Sequence, residues 1–196
     1  MSNARAFQLH VLERTEVDEA SMKIACLGWG SLIWKPGALP LASEWFNDGP
    51  QLPIEFSRVG DGGELATAVC LNAPPCQVLW ALLDVQSLDE AVQALRKREQ
   101  IPDDRQDGIG VFTINSSTVG VLGKWAADRH LDAVIWTALP PRFEDVEGLI
   151  PSLDDVLSYL ITLDGETLEH AKYYMENVPE QIDTPYRREI KKLGWD

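Results

Sequence analysis

Apolar positions fall into short runs over the first two thirds of the chain and into helical stripes over the last third. Residues 23–29 (KIACLGW) are the first strong run and read as a strand closed by Gly30. Residues 31–37 (SLIWKPG) continue it as a strand-like run into a turn at Pro36-Gly37. Runs at 53–59, 65–71 and 77–83 predict three more strands, separated by turn clusters at 60–63 (GDGG) and 72–75 (NAPP). A helix follows. Ser87 caps it, Glu90 completes a capping box, and Leu88, Ala91, Val92 and Leu95 recur as one stripe. Pro102 stops it. Strands are expected again at 110–114, 118–126 and 133–138, with a turn at 115–117. After Pro140-Pro141 the pattern turns helical. Ser152 caps a segment reaching Leu163, a second runs from about Glu166 to Asn177, and Thr184-Pro185 opens a third ending at Leu193.

Strands, one helix, more strands and then helices predict an α+β domain on a mostly antiparallel or mixed sheet, not a doubly wound parallel fold. Residues 1–22 read as an N-terminal extension, and 23–196 as a single domain whose part 141–196 is helical. No repeat is present.

Charge narrows the partners. The 196 residues carry 17 basic and 31 acidic side chains, a net charge of −14. This disfavours nucleic acid and an anionic membrane surface, since both are bound through Lys and Arg. A hydrophobic content of 45% with 24% charged residues suits a folded domain. No stretch approaches the roughly 18 apolar residues of a membrane span. The start of the chain lacks the apolar core of a signal peptide. Three cysteines without a CxxC fit a reducing compartment, so a cytoplasmic location is expected.

Two features could carry chemistry. In Gly28-Trp29-Gly30-Ser31-Leu32, two glycines flank one residue at a strand end. Glycine permits positive φ or close approach, and successive N–H groups in such a turn can receive an anion or oxyanion. The same residues also suit a plain strand end with aromatics packed on the core. Glu99 lies four, seven and eleven residues after Leu95, Val92 and Leu88, so it extends the apolar stripe at the helix C-terminus. An inward carboxylate there meets desolvation and the negative helix end, both of which raise its pKa, while the adjacent Arg96, Lys97 and Arg98 oppose this. The competing reading is a frayed helix end with Glu99 as a solvated ion-pair partner. GxGxxG, P-loop and GxSxG patterns are incomplete. His10, His130 and His170 lack ligand spacing, so no metal is expected. Cys26, mid-strand among apolar residues, reads as an inert thiol. The seven tryptophans read as core residues, with Trp29 and Trp34 able to wall a pocket.

The motif GWGSLIWKPG at 28–37 resembles the FGYGSLIWKP signature of the γ-glutamylcyclotransferase superfamily, closest to its ChaC-type branch. LRKRE at 95–99 is similar to the later segment in which an R-E pair supplies that family's catalytic glutamate. The resemblance covers residues 23–140. It implies a mixed α/β fold with a small, partly closed β-barrel flanked by helices. It implies no metal or organic cofactor, and a reaction in which the α-amine of a γ-glutamyl group attacks its own γ-amide, giving 5-oxoproline and a free amine. Carried over by position, the N–H groups of Gly30, Ser31 and Leu32 would cradle the γ-glutamyl group beside Trp29, and Glu99 would move the proton. Two departures stand out. Trp29 replaces the family tyrosine, and SRVGDGG at 57–63 replaces an HRGTP-like stretch, which leaves the leaving group open. Arg58 and Tyr186 are further pocket candidates. The alternative is a non-catalytic small-molecule-binding or regulatory module with the same fold. An interaction role for the C-terminal helices is compatible with either. Residues 141–183 hold 11 acidic and 2 basic side chains, so the acidity lies away from the glycine turn.

Overall fold

The structure, a computed structural model, describes residues 22–115 and 119–195. In chain order its elements begin with β1 (Ile24–Gly28), β2 (Gln51–Val59), β3 (Leu65–Val69), β4 (Pro75–Gln77) and β5 (Leu79–Leu82). Next come α1 (Leu88–Arg98), β6 (Ile109–Thr113), α2 (Val121–Asp128) and β7 (Ala133–Thr137). The chain closes with β8 (Arg142–Phe143), β9 (Val146–Glu147), α3 (Leu153–Ile161), α4 (Gly165–Asn177) and α5 (Pro185–Lys191). These form a mixed α+β fold with two sheets, one of them curled into a half-barrel. One sheet has the order β5-β1-β7-β6; the other runs β3-β2-β8-β9, with β4 also on β2.

Strand β1 sits between β5, antiparallel, and β7, parallel, and is buried along its whole length. That explains its nearly continuous apolar sequence. Its side chains alternate between two cores, as strand geometry requires. Ile24 and Cys26 pack with Ala91 and Leu95 of α1, whereas Ala25, Leu27 and Trp29 pack with Phe56, Trp80 and Tyr174. Ser87 accepts from the Glu90 N–H to cap α1, while the Glu90 carboxylate takes the N–H of Gln86. The cap and the buried Ala91 and Leu95 fix where α1 ends, and so where Glu99 stands.

Within the strand expected at 118–126, residues 121–126 belong instead to helix α2. Val119 and Val121 are 85% and 71% exposed. The inward residues Gly123, Trp125 and Ala126, with Leu122 packed on the core, follow helical spacing. Most of the expected turn at 115–117 lies outside the described residues, as does most of the 1–22 extension. The run at 31–37 is a tight turn, with Ile33 N–H on the Gly30 carbonyl and Lys35 N–H on that of Ser31. Residues 142–147 form a hairpin rather than the start of the helical part. Its two-residue turn holds Glu144 and Asp145 at φ 51 and 61, a conformation glycine or asparagine usually signals. Helices α3 and α5 stand where their caps predicted them, and α4 covers the helical run expected from about Glu166 to Asn177. Among the described residues no helix is long and apolar enough to cross a membrane.

Helix α5 is stapled to β2 through Glu55, which is 3% exposed. Its carboxylate accepts from Thr184 Oγ1 at 2.5 Å, from the Phe56 N–H at 2.8 Å and from the Tyr186 N–H at 3.3 Å. Burial still pushes this carboxyl above its ordinary 4.5, because desolvation outweighs the three bonds. The folded protein therefore holds the proton more tightly than the unfolded chain. Stability from this site should fall as pH rises from about 4.5 through the higher folded value, and then level off. Denaturant midpoints across that range should show the fall in the wild type and a shallower one in Glu55→Gln.

Candidate active site

The turn after β1 and the end of α1 meet in one cavity of ≈ 480 Å³. Gly28, Trp29, Gly30, Ser31, Leu32 and Glu99 all line it. Among the described residues, no protein group accepts the N–H of Gly30, Ser31 or Leu32. The two glycines serve close approach rather than unusual φ, since neither has a positive φ. A Cβ on Gly28 would lie 2.7 Å from the Trp45 ring. A Cβ on Gly30 would lie 2.5 Å from Tyr174 Oη and 2.6 Å from Thr67 Oγ1. Those two hydroxyls are 2.9 Å apart, and Thr67 Oγ1 also donates to the Trp29 carbonyl. Burial raises the Tyr174 phenol, which is thus a neutral hydrogen-bonding group at the turn.

Glu99 is the C-cap residue of α1, its N–H on the Leu95 carbonyl at 2.9 Å. The helix therefore does not fray before it. Its side chain is 15% exposed, so it is not a solvated surface carboxylate. Oε1 accepts from Thr137 Oγ1 at 3.0 Å and from Arg98 Nη1 at 3.3 Å. Among the described residues no donor bonds Oε2, which leaves that oxygen for a ligand. Arg98 ties the two motifs together: its guanidinium donates to the Lys35 carbonyl at 2.6 Å and to Ser31 Oγ at 3.1 Å. Of the three consecutive bases only Arg98 touches Glu99, since Arg96 turns to the carbonyls of Pro102 and Arg105.

Arg58 lines the cavity, held by the Pro140 carbonyl and, through two nitrogens, by Glu147. The Arg58 guanidinium keeps the Glu147 carboxyl below its ordinary range. Tyr186 lies outside the cavity wall. Its hydroxyl donates to the Pro151 carbonyl and its N–H to Glu55, so it serves the α5 staple. Sequence reasoning missed Thr67, Thr137 and Tyr174, which come from β3, β7 and α4 and carry no local signal. A second cavity of ≈ 600 Å³ shares Ser31, Glu64, Arg98, Glu99 and Tyr174 with the first and adds Trp34, Tyr173 and His170. Cys26 is fully buried and its thiol is pushed well up, mainly by desolvation, while Cys76 is pushed up to about 11, so neither offers a ready thiolate. Among the described residues no group of three or more His, Cys, Asp or Glu is placed to hold a metal.

Gly30→Ala tests the close approach. The methyl group has to displace two mutually bonded hydroxyls, an overpacking cost of about 1–3 kcal/mol. Denaturant unfolding should show that loss, and ligand binding at the turn should weaken with it.

No family model matches the chain. One curated protein, a UDP-N-acetylmuramyl-tripeptide synthetase of Treponema pallidum (strain Nichols), is 36% identical over 67 residues. That stretch is 34% of this chain, and the chain spans 11% of the length of that protein.

Proposed function

We propose that the protein is a γ-glutamylcyclotransferase-type enzyme, converting a γ-glutamyl amide or peptide into 5-oxoproline and a free amine. The observation that carries this reading is the junction itself: the Glu99 carboxylate and the turn of Gly30, Ser31 and Leu32 wall one cavity and are bridged by Arg98. The motifs at 28–37 and 95–99 support it, and the two-sheet α+β fold is compatible with the small, partly closed barrel they imply. The similarity to the synthetase covers too little of that protein to bring its activity here.

The chemistry needs a folded substrate, a proton shuttle and oxyanion donors. The neutral α-amine forms a bond to the γ-carbonyl carbon, and the carbonyl electrons move onto oxygen. The unpaired N–H groups of the turn stabilise that oxyanion. Glu99 takes the proton of the attacking nitrogen and returns it to the amide nitrogen as the C–N bond breaks. No water is consumed. Because nucleophile and electrophile share one molecule, holding the curled conformer supplies much of the acceleration. Arg98 acts as a positioning residue, holding Glu99 and Ser31 in register.

The test is release of 5-oxoproline from a panel of γ-glutamyl peptides and amides, measured by chromatography. Turnover of at least one substrate supports the reading. Binding without turnover of any would replace the enzyme with a binding module.

A further inference from the structure

Beyond the junction, the same cavity is walled by three arginines that converge on one carboxylate. Glu147 lies 2.8 Å from Arg58, 3.3 Å from Arg105 and 3.5 Å from Arg142. The three are not alike. Arg58 is satisfied by a two-nitrogen fork on Glu147 and by a backbone carbonyl. Arg105 is held on Asp107 at 2.8 Å. Arg142 has no short bond: its contacts to the Val59 carbonyl, Asp61, Asp145 and Glu147 are 3.2–3.5 Å long. Asp61 and Asp145 stand fully in water, at 102% and 95% exposure, where such pairs contribute little. Arg142 itself is only 21% exposed. A guanidinium withdrawn from water and weakly paired is unfavourable unless an anion completes it. Its planar fork suits a carboxylate.

We infer that Arg142, supported by Arg105, forms a carboxylate subsite in this cavity. The identity of the compound that carries the carboxylate rests on the proposed cyclotransferase reading; the anion subsite does not. Two groups have this chemistry: the α-carboxylate of the glutamyl moiety, and a carboxylate on the leaving amine when that amine is an amino acid or peptide. Arg142 lies in β8, paired in register with Arg58 of β2, so the hairpin that the sequence pattern did not announce brings it to the wall.

Calorimetry on wild type, Arg142→Gln, Arg142→Lys and Arg105→Gln tests the subsite without requiring turnover. One ligand pair is 5-oxoproline and 2-pyrrolidinone, which differ only in the α-carboxylate. The other is γ-glutamyl-glycine and γ-glutamyl-methylamide, which differ at the leaving amine, both measured with Glu99→Gln added to prevent consumption. For one pair, Arg142→Gln should weaken the carboxylate-bearing member at least tenfold and change its partner less than twofold. Arg142→Lys should fall between, and Arg105→Gln should weaken the same member to a lesser degree. The pair that responds identifies the source. Equal affinities within both pairs in the wild type, or equal weakening of both members by Arg142→Gln with a native thermal melt, overturns the subsite. If 5-oxoproline is released from the panel while Arg142→Gln discriminates nothing, the subsite fails and the enzyme reading stands. If nothing is turned over while carboxylate-dependent binding persists, the reverse holds.

Discussion

Glu99→Gln is expected to lower kcat for 5-oxoproline release by about 10²–10⁴-fold, the usual contribution of a general acid/base. KM should move only a few-fold, because the lost interaction belongs to proton transfer rather than to binding. Glutamine keeps the shape and an oxygen for Thr137 Oγ1 and Arg98, so the fold should change by about 1 kcal/mol or less. Glu99→Asp retains a carboxylate on a shorter stem. It should recover part of the rate, which a purely structural role would not explain. Full activity in Glu99→Gln would remove Glu99 from the mechanism and leave the glycine turn as a binding feature alone.

Arg187→Ala is expected to be the most damaging single change to the fold. Arg187 is 4% exposed and has no carboxylate partner within ion-pair distance among the described residues. Its charge is spread over four carbonyls instead: Pro179 at 2.6 Å, Val178 at 2.7 Å, Ile182 at 3.0 Å and Met175 at 3.3 Å. Two of these close the C-terminal end of α4, where a cation also complements the helix dipole. Burial lowers the Arg187 pKa, yet arginine stays charged at any working pH. Truncation leaves buried carbonyls unpaired and opens a hole, a loss of about 3–5 kcal/mol. For a chain of this size that is roughly 6–20 °C in Tm. Arg187→Met restores much of the volume without the donors, so a deficit that persists in it is due to the hydrogen bonds. The effect reaches the site, because α4 also carries Tyr174, whose hydroxyl lies against Gly30. A loosened α4 should weaken ligand binding before global unfolding begins. If Arg187→Ala melts within about 2 °C of the wild type, the carbonyl cluster is not what anchors α4.

Much of the scaffold was legible because its signals are local. The cap at Ser87 and the stripe from Leu88 to Leu95 placed α1 and put Glu99 at its end. The caps at Ser152 and Thr184 placed α3 and α5, and the apolar run at 23–29 placed β1. Each of these signals involves residues no more than a few positions apart. Where local cues conflicted the reading failed. The run at 118–126 read as a strand, but Trp125 and Ala126 found a core to bury against and drew residues 121–126 into a helix. The turn at Glu144 and Asp145 lacks glycine, and pairing with β2 holds it in place.

The sequence by itself determined most of the strands, the helices α1, α3, α4 and α5, the two chemical motifs and the separation of the acidic C-terminal part from the glycine turn. Only the tertiary structure decided why Gly30 is a glycine, since the clash partners Thr67 and Tyr174 lie 37 and 144 residues away. It likewise decided that Arg98, not Arg96 or Lys97, joins Glu99 to the turn, that Tyr186 serves α5 rather than the cavity, and that Arg58, Arg105 and Arg142 share Glu147. The reason is physical. Backbone periodicity and capping are set by neighbours along the chain, whereas a site is set by side chains that meet only after the sheets have closed.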